Sequence, residues 1–197
     1  MGYGGTLDMD KRFLRAFLTP SRTVIEGYSL YPWCIKHRLW LEGIESPFMR
    51  TDAPIEVADL LLALRICSET ELDRPSLRER FLGIRLALDK GRFEAACRAF
   101  VQHTDTTAGW PKFYERKDEG GAGGPSTPWP LAIVCNLVKN GVTYEAAMQM
   151  PEAKAIWMST AFAISAGAKL ELLTTEDEEL IDSLQRERDQ QKNEPTA

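Results

Sequence analysis

Apolar positions recur along most of this chain at the three- and four-residue spacing of helices rather than with the alternation of strands. Asp8 to Leu18 carries Phe13, Leu14 and Phe17 on one side, and Pro20 ends that helix. Ser21 to Leu30 predicts irregular chain or a short strand, with Val24 and Ile25 as its apolar pair. Pro32 suits the first turn of a helix running through Leu39 and Leu41 to Gly43, and Ser46-Pro47 marks a loop. From Pro54 to about Ser68 the pattern loses its polar face, because Ile55, Val57, Leu60, Leu61, Leu62, Leu64 and Ile66 surround the axis. Such a helix belongs at the centre of a core, with Leu61 and Leu64 inside it. Its charges, Glu56 and Asp59 near the start and Arg65 near the end, sit where the helix dipole tolerates them. Ser76 and Glu79 have capping-box spacing, and Leu77, Phe81, Ile84 and Leu88 form one stripe before Gly91. A helix from Arg92 to about Gln102 completes this half.

The segment from His103 to Gly124 is too long for a tight connection, and Trp110, Phe113 and Tyr114 are unusual in a pure linker. Within it, Asp118 to Pro130 halts regular structure through its glycines and prolines. Patterning then resumes. Pro130 to Asn140 is an apolar run stopped by Gly141, Thr143 caps a short helix, and Pro151 opens a longer one that ends at Gly167. That last helix has a core stripe of Ala153, Ile156, Trp157, Thr160, Ala161 and Ile164, and a second stripe of Ala155, Met158 and Phe162 about 100° further round. Either the helix is buried on two sides, or the second stripe meets another chain. Trp110, Phe113, Tyr114, Ala155, Met158 and Phe162 are therefore the candidate partner-binding residues. The expected fold class is all-α, an irregular multi-helix bundle. It divides into an N-terminal helical unit (residues 1–104), an aromatic-bearing connection (105–127) and a smaller C-terminal helical unit (128–197) with an acidic final helix and a solvated tail.

Composition narrows the function classes. The 197 residues carry a formal charge of -5 and are 44% hydrophobic, ordinary for a globular chain. An acidic balance disfavours a general nucleic-acid binder, which needs a basic excess to neutralise phosphates. Arg74, Arg78, Arg80, Arg85, Lys90, Arg92 and Arg98 form a local basic face, read here as solvated and paired with the acidic C-terminal helix. No run is long enough to span a bilayer, and no secretory signal precedes the cysteines, so a cytoplasmic chain with reduced, buried thiols is expected. MGYGGT fits the spacing of an N-myristoylation signal, although a frayed start is the simpler account.

Candidate chemistry is sparse. Cys34 and His37 share a helix face, and Cys97 with His103 would complete four zinc ligands, but neither pair has zinc-site spacing and the second lies about 600° of helical turn apart. Core thiols and edge imidazoles explain them, and nothing marks a nucleophilic Cys-His pair. The Gly120 to Gly124 cluster lacks the Lys-Ser/Thr of a phosphate loop. Glu176, Asp177, Glu178 and Glu179 follow Thr174-Thr175, where a helix start favours negative charge. No catalytic, metal-binding or cofactor-binding residue is predicted, and no cofactor.

Tyr28-Ser29-Leu30, Leu39-Trp40-Leu41-Glu42, Ser46-Pro47-Phe48 and Asp59-Leu60-Leu61-Leu62-Ala63, with Met150-Pro151, Trp157, Gly167-Ala168 and Glu176-Asp177, give a layout that resembles small helical proteins of tailed-phage and prophage morphogenesis modules, tail assembly chaperones in particular. The resemblance covers most of the chain as a pattern and carries over no functional residue. It implies a non-enzymatic protein that binds the aggregation-prone tape-measure protein in the bacterial cytoplasm during tail assembly, with self-association as a further option. The alternatives from the residues themselves are a nucleic-acid-associated packaging or regulatory subunit using the arginine-bearing helices, and a helical enzyme.

Overall fold

A computed structural model describes residues 10–18, 22–50, 53–70, 75–115 and 127–173, and beyond them residues 177, 180, 181, 183, 184 and 186. The fold is all-α in character: helices α1 (Lys11–Leu18), α2 (Ile35–Gly43), α3 (Val57–Cys67), α4 (Leu77–Leu88), α5 (Lys90–Thr104), α6 (Trp129–Lys139), α7 (Tyr144–Gln149) and α8 (Glu152–Ser165), with two small antiparallel strand pairs. The MGYGGT start, Arg74, the Gly120 to Gly124 cluster and Thr174 to Glu176 lie outside the described residues.

Several boundaries follow from local chemistry. The first strand pair, β1 (Thr23–Ile25) and β2 (Tyr28–Leu30), turns through Glu26 and Gly27 at φ of 50° and 83°, the positive pair that a two-residue hairpin turn demands. This segment is therefore a hairpin rather than irregular chain. Pro32 stays outside α2, whose N-cap is Cys34, and α3 begins at Val57 rather than Pro54 because Glu56 and Asp59 make a reciprocal capping box there. The expected Ser76–Glu79 box opens α4, Asp89 Oδ1 accepts from Arg92 N at 2.9 Å to start α5, and Thr143 caps α7. Within the long connection, Thr107–Gly109 forms a 3-10 turn and β3 (Phe113–Glu115) pairs with β4 (Leu170–Leu172).

Three apolar clusters hold these elements. The largest gathers Leu30 and Trp33 with α3 (Leu60, Leu64), α4 (Leu82, Leu86) and α5 (Phe100), so the all-round apolar helix α3 is central as its pattern demands. Leu64 is fully buried, whereas Leu61 is only partly so. A second cluster packs Ile35 of α2 against Val134, Leu137, Ala147 and Ala155 of α6, α7 and α8. A third joins Ala16 of α1 to Ala153 and Trp157 of α8, with Phe13 edge-on to Trp157 at 5.6 Å. Helices α1 and α2 thus bury faces against elements of the C-terminal unit, and α8 is the shared contact.

Candidate docking surface

The orientation of α4 decides the outer surface of the molecule. Around the helix axis, Leu77, Phe81, Ile84 and Leu88 fall within an arc of about 60°, and Glu79, Leu82 and Leu86 lie on the opposite side. Hydrophobicity alone would turn the first set inward. The structure does the reverse: Leu77, Phe81, Ile84 and Leu88 are 72%, 67%, 57% and 84% exposed, and Glu79, Leu82 and Leu86 are buried. Two features of the sequence account for this. Glu79 is held inward because its carboxylate accepts from Ser76 N at 3.0 Å and meets Arg65 Nε of α3 at 3.3 Å. Burial, and then the Glu79 carboxylate beside its hydroxyl, push the Tyr28 phenol up, so Tyr28 belongs to the same polar knot. Gly83 supplies the second cause. A Cβ there would stand 3.3 Å from Leu61 Cδ1, tighter than ordinary contact, so the bare glycine lets the Leu61 side chain rest against α4.

The exposed stripe is a ridge between two depressions. On one side a groove of about 550 Å³ runs between α3 and α4, lined largely by Ala58, Leu61, Leu62, Gly83, Ile84 and Ala87, with Arg80 at its edge. On the other a cleft of about 610 Å³ is lined by Phe81, Arg78, Arg85, Arg92 and Glu26. Arg92 is neutralised there by a bidentate pair with Glu26 at 2.9 and 2.5 Å, and Arg78 lies over Gly27, where any side chain would collide with it. An apolar ridge flanked on both sides by arginines can hold the nonpolar face of an amphipathic helix whose edges are acidic. Lys90 and Arg98 each pair locally with Glu94.

The aromatics of the connection lie elsewhere. Trp110 folds back on the α1–α8 cluster, donates from Nε1 to Thr106 Oγ1 at 3.0 Å and sits 5.7 Å from the Trp129 ring. Phe113 is partly exposed on β3; Tyr114 follows it on that strand opposite Glu171, and its side chain lies outside what is described. The second stripe of α8 is partly covered inside the chain. Ala155 has no exposed surface, and Met158 and Phe162 pack against the α6–α7 cluster, so of the two arrangements open to α8 the structure adopts burial on two sides. The five candidates whose side chains are described do not form one surface. The α4 ridge, which periodicity marks as a stripe without saying what covers it, replaces them.

Behind the connection lies a polar hub that the sequence does not announce. Glu152, in the first turn of α8, has no exposed surface, yet its carboxylate accepts from Trp33 Nε1 (3.1 Å), Arg38 Nε (2.8 Å), Arg38 Nη2 (2.9 Å) and Thr106 Oγ1 (3.1 Å). Arg38 lies over the Trp33 and Trp129 rings at 5.7 and 5.0 Å. Burial alone would lower the Arg38 pKa, but the hydrogen bonds and charge of Glu152 outweigh it and the net shift is upward. The carboxylate is thus saturated with donors, a fit for a structural tie rather than for proton transfer. A cleft of about 460 Å³ opens beside it, lined among others by Arg15, Thr23, His103 and Asp105.

The cysteines and histidines separate as their burial dictates. Cys34 Sγ and His37 Nδ1 meet at 3.3 Å, though as the N-cap and a first-turn residue of α2 rather than as two residues on one helix face. Burial raises the Cys34 thiol despite the backbone N–H groups of His37 and Lys36, and it lowers His37 to about 4, so the pair rests as thiol and neutral imidazole. A nucleophilic thiolate requires the opposite shift. All four cysteines are free; Cys34 and Cys67 are buried, Cys97 is half-buried and, against expectation, Cys135 on the outer side of α6 is exposed. Among the described residues no group of three or more His, Cys, Asp or Glu side chains is arranged to hold a metal ion, and no helix is long and apolar enough to cross a membrane. No family model, curated protein or solved structure matches the chain.

Proposed function

We propose that this chain is a non-enzymatic binding protein of the tail-assembly-chaperone kind, which holds an amphipathic, aggregation-prone helix of a tape-measure protein against the α3–α4 face in the bacterial cytoplasm. The observation that carries the reading is the exposed ridge of Leu77, Phe81, Ile84 and Leu88 beside an apolar groove. Large apolar side chains aligned on one helix and left in water mark an interaction site. Covering these four is worth on the order of 4–8 kcal/mol from this side of the interface, and lost translational and rotational freedom removes several kcal/mol of it. That balance suits a client that is held and then released. The saturated Glu152 carboxylate and the upward-shifted Cys34 thiol further favour binding over catalysis.

The test uses the full chain carrying Phe81→Glu and Ile84→Glu. Both side chains are exposed, so helicity and thermal stability should hold while capture of a tape-measure fragment is lost in pull-down and calorimetry. Undiminished capture refutes the reading. Salt-dependent retention of DNA that disappears with Arg78, Arg80 and Arg85 would move the function to the nucleic-acid alternative.

A further inference from the structure

We infer that the α4 ridge is the seat of the acidic C-terminal helix of a second copy of this chain, so that the protein associates with itself through the face that receives its client. The inference rests on the same face as the proposed function. Two exposed apolar stripes among the described residues complement each other. One is the α4 ridge, and the other is Leu180, Ile181 and Leu184, which lie on helical backbone and are each at least 40% exposed. Since both stand in solvent within one chain, neither covers the other in the same molecule.

Their charges are opposite. Along α4 the acidic residue, Glu79, is turned into the core, so the charges flanking the ridge are those of Arg78, Arg80 and Arg85. Around the axis Arg78 and Arg85 fall on one side of the ridge and Arg80 on the other. From Glu176 to Arg186 the sequence holds Glu176, Asp177, Glu178, Glu179 and Asp182 against one basic residue, Arg186. Leucine side chains at positions 180 and 184 would enter the α3–α4 groove beside Ile84, with carboxylates meeting the arginine rims. Reciprocal exchange of the two helices makes a closed two-fold dimer with two such seats, and a client helix of the same character then competes with the partner's C-terminal helix.

Sedimentation velocity and light scattering on the full chain over a wide concentration range test this. A dimer that dissociates on dilution and weakens with salt is expected. Leu180→Lys with Leu184→Lys should raise the dissociation constant tenfold or more with unchanged circular dichroism. Arg80→Glu with Arg85→Glu should do the same, and adding Glu178→Lys and Glu179→Lys to that variant should restore association. A monomer at every concentration, or a dimer indifferent to Leu180→Lys and Leu184→Lys, overturns the inference. The two readings fail separately. A dimer unaffected by the C-terminal variant, together with client loss in the Phe81→Glu, Ile84→Glu chain, removes only the self-association. Dissociation by the C-terminal variant with client capture intact in the α4 variant removes only the client site.

Discussion

Replacing Glu152 by alanine is the most severe single change the structure offers. Its carboxylate is fully buried and satisfies four donors, two from Arg38 and one each from Trp33 and Thr106. Summing them at about 1.5–3 kcal/mol for each charge-assisted bond and about 1 kcal/mol for each neutral one would overshoot, because the carboxylate also loses water on burial. The appropriate measure is the cost of removing one partner of a buried pair, about 3–5 kcal/mol, since the Trp33 indole is then left without an acceptor and the Arg38 guanidinium keeps only Glu42, 3.8 Å away. Against a total stability of about 5–15 kcal/mol this is a large fraction. Urea titration followed by tryptophan fluorescence should show the loss, and thermal melting should drop by roughly 6–20 °C for a chain of this size. Arg38→Met provides the control, because it leaves Trp33 and Thr106 still bonded to the carboxylate, and the double variant should cost less than the two single changes added together. A loss under about 1 kcal/mol for Glu152→Ala, or strict additivity in the cycle, would refute the hub as a structural tie.

Three further outcomes follow from burial. His37, with its pKa lowered to about 4 by desolvation, binds fewer protons folded than unfolded between roughly pH 6.5 and 4, so stability is full above that window and falls by about 1.4 kcal/mol per pH unit as pH drops through it; denaturation midpoints between pH 7 and 5 should flatten in His37→Gln. Leu64→Ala should cost about 2–5 kcal/mol and Leu61→Ala distinctly less, since the second side chain lines an open groove; equal losses by urea denaturation would contradict the placement of α3. Met158→Ser with Phe162→Ser should lower the melting temperature, because both side chains close the α6–α7–α8 cluster, and an unchanged melt would return that stripe to the surface.

Local signals in the sequence were strong where the cause is local. The Ser76–Glu79 box, the Thr143 cap, the turn at Gly167 with φ of 92° and the Cys34–His37 contact all depend on neighbours within a few residues. What escaped was everything decided by a distant partner. The stripe on α4 is visible as periodicity, but its outward direction depends on Arg65 receiving Glu79 and on Leu61 meeting Gly83, both across the α3–α4 contact. The second stripe on α8 leaves two arrangements open in the sequence, and only its packing against α6 and α7 chooses between them. Glu152 reads from sequence as a carboxylate at a helix start, and only the fold brings Arg38, Trp33 and Thr106 to it.

The Glu152 tie also sets an order of events during synthesis. Arg38 and its acceptor are 114 residues apart in the chain, and at a translation speed of about 5–20 residues per second the acceptor leaves the ribosome roughly 6–23 s after the guanidinium. The cluster built from the hairpin, α3, α4 and α5 needs nothing beyond Phe100 and can form in that interval. Ile35, Ala16 and the Trp33 indole cannot complete their burial until α8 emerges. A nascent chain stalled before Glu152 should therefore be cleaved readily at α1 and α2 by a protease while α3 to α5 resist, and the protection should spread to the whole N-terminal half once α8 is released.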